Sequence, residues 1–182
     1  MKYKNIKKDI TDITKHSRKI VLHNSTTRIL FMKKLLIIYH TQGVRTEEMA
    51  MQVLSGAREV EDVETTIKKA FDSTLEDLLN TDGVIFGTPE NFGYMCGALK
   101  DFFDRVFYPA QGKVEGMPYA LFVAAGNDGT GAVNAVERIV RGFPLKKICE
   151  PIIAKSKTTP EDLKKCYEMG MTLAAGISLG MY

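Results

Sequence analysis

From Lys33 onward, apolar runs alternate with stretches in which apolar residues return every three or four positions. LLIIY (35–39), GVIFG (83–87) and YALFVAA (119–125) are apolar almost throughout, the pattern of strands covered on both faces. VETTIKKA (63–70) is more polar and alternating, which suits an edge strand. ICEPIIA (148–154) reads as a last strand, with Pro151 marking an edge or a bulge.

The segments between them carry a helical period. Met49, Ala50, Val53, Leu54 and Ala57 lie on one stripe. Ser73 with Glu76 forms a capping-box pattern for a short helix bearing Leu75, Leu78 and Leu79. Leu99, Phe102, Phe103, Val106 and Phe107 share a face opposite Lys100, Asp101, Asp104 and Arg105, and Pro109 stops that helix. Val133, Val136, Ile139 and Val140 mark the next. Thr159 then serves as N-cap and Pro160 as first residue of a helix carrying Leu163, Cys166, Gly170, Leu173 and Ile177.

Five strands and five helices in strict alternation imply a parallel sheet with helices on both faces, an α/β fold. In such open sheets ligands bind beyond the carboxyl ends of the strands, where the strand order reverses. The informative segments are therefore HTQGVRT (40–46), TPENFGYM (88–95) and GNDGTGA (126–132).

Composition changes the picture in two places. Residues 1–31 hold eight Lys or Arg against two Asp, an excess of +6, whereas the rest holds 17 basic and 20 acidic residues. The basic excess thus belongs to the N-terminal segment, which has no clear apolar period, and MKKLLIIYH at Met32 reads as a natural start. We read 1–31 as a basic flexible extension, the rival being a basic arm that touches a partner or an anionic surface. The body, 32–182, offers no charge argument for nucleic acid. No run approaches the ~18 apolar residues of a membrane span. Cys96, Cys149 and Cys166 are scattered, without metal-ligand spacing, and read as free thiols of a cytoplasmic protein. We assign no metal ligand.

Each of the three loops has a bland reading beside a functional one. In the first, Thr41, Gln42, Gly43 and Thr46 with their backbone N–H groups suit a phosphate at a helix start, with Arg45 adding charge or pointing outward. The alternative is an ordinary capped turn. His40 lacks partners for base or metal chemistry and reads as structural or phosphate-neighbouring. In the second loop Pro89 stiffens the chain and Gly93 permits close approach. Asn91 suits the polar edge of a heterocycle, and Phe92 and Tyr94 either line its face or fold onto the core. In the third, Gly126, Asn127 and Gly129 bring backbone close to a ligand, and Asp128 reads as turn chemistry.

GTPENFGYMCGALKDFFDR closely resembles the G-T-P-x-x-F/Y-G-x-M-x-G-x-x-K-x-F-x-D-R signature of flavodoxin-like NAD(P)H-dependent FMN and quinone reductases. It matches at Gly87, Thr88, Pro89, Phe92, Gly93, Met95, Gly97, Lys100, Phe102, Asp104 and Arg105. HTQGVRT is similar to the flavodoxin phosphate loop, departing at Val44, where glycine is usual, and at Arg45, where Asn or His is usual. The resemblance covers the body and none of residues 1–31.

It implies a doubly wound, five-stranded parallel sheet of order 2-1-3-4-5 in three layers. It implies FMN held by His40, Thr41, Gln42, Gly43, Arg45 and Thr46, by Thr88, Pro89, Glu90, Asn91, Phe92 and Gly93, and by Ala125, Gly126, Asn127, Asp128 and Gly129. Electrons would pass from NADH or NADPH through FMN to a quinone, flavin or similar small acceptor, with no residue as catalytic acid, base or nucleophile. A flavodoxin-type electron carrier is the alternative. Related reductases often form dimers or tetramers, so a homo-oligomer is also implied.

Overall fold

Alternate residues of β1 (Lys33–Tyr39) enter different cores. Leu35, Ile37 and Tyr39 pack on α1 (Arg45–Ala57) and α5 (Pro160–Ser178), while Leu36 and Ile38 join the cluster on the opposite face. That second cluster takes in α2 (Leu75–Leu79), α3 (Gly97–Ala110) and α4 (Thr130–Val140). The same split runs through β3 (Gly83–Asn91) and β5 (Pro118–Ala125). This is a sheet between two helical layers. The computed structural model describes residues 32–182, and the basic extension expected at 1–31 lies outside the described residues.

β1 pairs in parallel with β2 (Val63–Lys69) and with β3, and β3 pairs in parallel with β5. β5 is flanked by β6 (Lys146–Lys147) and β7 (Ile152–Lys155), both parallel to it. The order β2-β1-β3-β5 followed by β6 and β7 matches the expected doubly wound, flavodoxin-like topology. Four elements differ in detail. ICEPIIA is not one strand: β6 ends before Ile148 and β7 starts after Pro151, which has no N–H to give a ladder. β3 continues to Asn91 and turns back as a short antiparallel strand, β4 (Tyr94–Met95), so much of the second loop is a hairpin. The short helix is capped by Thr74 with Asp77 rather than by Ser73 with Glu76. Ser73 is buried and its hydroxyl donates to the Lys69 carbonyl. Pro109 lies inside the last turn of α3, which ends one residue later.

Helices α1 and α5 approach closely because each presents a glycine to the other. A Cβ at Gly56 would overlap the Tyr167 carbonyl, and one at Gly170 the Val53 carbonyl. On the opposite face Phe86, Phe102, Phe103 and Phe143 are fully buried and meet at tilted ring angles. Both layers fix the helix starts at the carboxyl rim of the sheet.

Candidate functional site

The parallel registers Tyr39↔Gly87, Pro89↔Ala124 and Ala125↔Lys155 bring the ends of β1, β3, β5 and β7 to one rim. The His40 N–H donates to the Gly87 carbonyl (3.1 Å), extending the β1–β3 ladder into the first loop.

In the first loop the Gly43 N–H donates to Thr41 Oγ1 (3.1 Å), folding the turn before α1. The N-cap of α1, Val44, gives no side-chain acceptor. No described residue accepts from the N–H groups of Arg45, Thr46 and Glu47. α3 likewise starts without a side-chain cap, at Cys96, whereas the other three helices contrast with this. Capping boxes serve α2 (Thr74 with Asp77) and α5 (Thr159 with Asp162). The start of α4 is taken by Asp128 Oδ1, which accepts from Thr130 N, and by Glu90 Oε1, which accepts from Gly131 N (3.1 Å) and Ala132 N (3.3 Å). Thus α1 directs open N–H groups and the positive end of its dipole at the rim, which suits an anion.

The β3–β4 hairpin turns through Phe92 (φ 54°) and Gly93 (φ 68°). Positive φ at both central positions is the turn that Asn-Gly ordinarily makes, and a Phe there is strained by about 1–2 kcal/mol. Its ring is fully exposed, so packing on the core does not offset the strain. Of the two readings of Phe92, the one in which the ring folds back is excluded. Tyr94 is also exposed. Backbone strain of this kind clusters at active sites and ligand clamps, which makes Phe92 a candidate site residue. The tip rests on α4: a Cβ at Gly131 would overlap the Gly93 carbonyl oxygen.

Hydrogen bonds join the loops. Asn91 Nδ2 donates to Gln42 Oε1 (3.2 Å), linking the second loop to the first. Glu90 links the second to the third through α4. Arg45 Nη1 donates to the Ala125 carbonyl (2.9 Å) and the Ser156 carbonyl (2.7 Å), so this guanidinium ties the first loop to the ends of β5 and β7.

Several expected site side chains are occupied within the protein. The Thr88 hydroxyl is buried, donates to the Pro89 carbonyl and accepts from Cys96 N, which leaves only its backbone for a ligand. Thr46 is buried as well. Asp128 accepts from Thr130 N and Thr130 Oγ1, two bonds that hold its carboxyl below the usual range. It is ionised turn chemistry. His40 Nδ1 is buried without a partner among the described residues, and the ring meets Phe71 edge-on at 5.4 Å. Burial first, and Lys69 second, push its pKa down, so His40 is neutral near pH 7.

The glycines test whether a flat phosphorylated ligand fits. Gly129 is needed by the fold, since its φ is 77° and a Cβ would meet Ile153. Gly43 and Gly126 have neither reason: their φ values lie outside the left-handed region and a Cβ would meet nothing within 4 Å. Backbone left open at the first and third loops, above an uncapped helix start, fits a ligand lying directly against it. FMN, with its phosphate and flat ring, suits this arrangement.

Sequence reasoning missed two contributors. Phe71, exposed on the 3-10 turn Ala70–Asp72 after β2, reaches the rim beside His40. The loop after β7 also stands there, with the Ser156 N–H donating to the Ala125 carbonyl (2.8 Å). The loop rule applied to every parallel strand, including the last, would have found both.

A family model described as NADPH-dependent FMN reductase matches residues 23–148. A flavodoxin of Aquifex aeolicus is 29% identical over 164 residues, covering 81% of this chain and 89% of the relative. An NAD(P)H dehydrogenase (quinone) of Acidithiobacillus ferrooxidans is 30% identical over 114 residues, covering 51% of this chain and 57% of that protein. Among solved structures, a flavodoxin from the domain Archaea superposes with TM-score 0.69 at 20% identity, over 79% of this chain and 98% of its own. A WrbA-like flavodoxin protein of Agrobacterium tumefaciens gives 0.66 at 19% identity, over 82% and 99%. These last two likenesses concern the fold.

Proposed function

Since the chain belongs to the NADPH-dependent FMN reductase family, we propose that it carries reducing equivalents from NADH or NADPH through FMN to a quinone, a flavin or a similar small acceptor. Bound FMN supplies the redox chemistry. The residues of this chain supply binding and orientation. The open N–H groups at the start of α1, with Thr41, Gln42 and Gly43, would receive the phosphate. Asn91 and the backbone of Pro89–Gly93 would meet the polar edge of the ring, and Phe92 its face. Backbone from Ala125 to Gly129 would border the other side. Glu90, Asn91 and Arg45 keep the loops in mutual register. No acid, base or nucleophile is assigned, in keeping with a neutral His40 and an Asp128 engaged by Thr130.

The observation that carries this reading is the pair Gly43 and Gly126, open backbone on two loops beside a helix start that no side chain caps. The test is stopped-flow absorbance of the FMN-loaded protein with NADPH and with NADH, followed by a quinone. Bleaching of the flavin and its recovery on quinone addition are expected. FMN bound tightly but unreduced by either nucleotide would favour the electron-carrier reading, which the flavodoxin relative supports.

The reading places the protein in the cytoplasm, supported by three cysteines that form no disulfide. No described helix is long and apolar enough to cross a membrane. Pairing with further copies, implied by the family resemblance, is read by sedimentation velocity of the loaded protein.

A further inference from the structure

Phe71 stands on the 3-10 turn Ala70–Asp72, which follows β2 at the rim. Its ring is 61% exposed, although the backbone on both sides of it is anchored. Ala70 and Ser73 are fully buried. Arg105 Nη2 donates to the Ala70 carbonyl (3.0 Å) and Nη1 to the Ser73 carbonyl (2.9 Å), and the Ser73 hydroxyl donates to the Lys69 carbonyl (3.0 Å). His40 meets the ring edge-on at 5.4 Å, which occupies at most one of its faces. The fold thus holds one phenylalanine out of the core with a face open to solvent. An aromatic presented on a fixed turn loses little conformational freedom when a flat ligand stacks on it.

Strand order narrows the choice of ligand. β1 lies between β2 and β3, so the turn stands two strand spacings, about 10 Å, from the end of β3. The function proposed above sets the FMN ring against the hairpin after β3 and the loop after β5, across the first loop from Phe71. A quinone or a free flavin has one ring system, and that system must lie against FMN to take electrons. A nicotinamide dinucleotide carries a second flat ring, adenine, well away from the ring that reacts. The charges at the turn do not oppose it: Asp101 pairs with Arg105, and Asp72 is offset by Lys69, which stands close enough to His40 to help lower its pKa. Among the described residues Lys69 enters no ion pair.

We propose that Phe71 is the platform on which the adenine of NADH or NADPH stacks while the nicotinamide meets FMN. The inference rests on the function proposed above, which supplies the dinucleotide. His40, neutral near pH 7, backs the ring without adding charge, and Arg105 holds the turn to α3. Phe71 serves the donor alone, since neither FMN nor a small acceptor has a second ring to place there.

The test compares the full FMN-loaded chain with Phe71→Ala and Phe71→Trp, using donors with and without the adenine half. KM and kcat are measured for NADPH, NADH and reduced nicotinamide mononucleotide. The loaded proteins are also titrated calorimetrically with 5′-AMP and with ribose 5-phosphate. In Phe71→Ala the KM for both dinucleotides should rise about tenfold at unchanged kcat, and 5′-AMP binding should weaken by the same factor. Reduced nicotinamide mononucleotide, ribose 5-phosphate, FMN affinity and thermal melting should not change. Phe71→Trp should keep the wild-type values. Loaded wild type that does not bind 5′-AMP, an equal loss for the mononucleotide, or intact dinucleotide turnover in Phe71→Ala overturns the proposal alone. Wild type that takes FMN but is reduced by neither dinucleotide overturns the donor reading, and the proposal falls with it.

Discussion

Gly43 and Gly126 separate what the fold needs from what a ligand needs. With open space around them and ordinary φ, Gly43→Ala and Gly126→Ala should change stability by less than about 1 kcal/mol. Each should weaken FMN about tenfold or more, read by thermal melting beside fluorescence titration. Gly131→Ala should behave in the reverse way. Its Cβ would press on the Gly93 carbonyl, so a loss of about 2 kcal/mol in unfolding free energy is expected even without flavin. His40 gives a pH signature. Its folded pKa lies below the ordinary 6.5, so protons bind the unfolded chain more readily. The stability due to the neutral ring is complete above that value and is lost as pH falls through it towards the folded pKa. Denaturant midpoints followed downward from neutral pH should fall less steeply in His40→Gln than in wild type. The glycines were visible in the sequence as loop residues. Their openness was not, because it depends on what the other loops leave empty.

The signature GTPENFGYMCGALKDFFDR divides into parts with different work. Its first half forms the hairpin at the rim, and its second half holds elements together. Arg105 uses all three guanidinium nitrogens: Nε on Asp101, Nη1 on the Ser73 carbonyl and Nη2 on the Ala70 carbonyl. It thereby fixes to α3 the 3-10 turn that carries Phe71. Arg105→Lys cannot reproduce that fork and should cost about 2 kcal/mol, measured by urea unfolding, with little direct effect on FMN binding. Glu90→Ala should loosen the hairpin from α4, losing about 1–2 kcal/mol and part of the FMN affinity, whereas Glu90→Gln keeps an acceptor and recovers most of both. Strands buried on both faces and helices with one apolar stripe were legible, since burial writes its period into the chain. β4 was not, because two residues leave no period and its pairing is backbone only. The shift from Ser73 to Thr74 as cap was equally hidden, since both residues can cap and the buried packing of Ser73 decides between them.

At the scale of the molecule, the parallel topology gathers four loops at one rim, and contacts distant in sequence join them. Arg45 reaches Ala125 and Ser156, Asn91 reaches Gln42, and Glu90 reaches Gly131. The sequence told which loops would meet, through strand order, but not which side chains would connect them, because each partner lies tens of residues away. The account as a whole rests on the rim of β1, β3 and β5 receiving FMN. The most direct test is FMN fluorescence during titration with the full chain and, in parallel, with the Gly43→Ala/Gly126→Ala chain. The account predicts quenching by wild type that saturates at one flavin per chain, and little quenching by the variant although it melts like wild type. Unchanged fluorescence with wild type, or equal quenching by both, would contradict it.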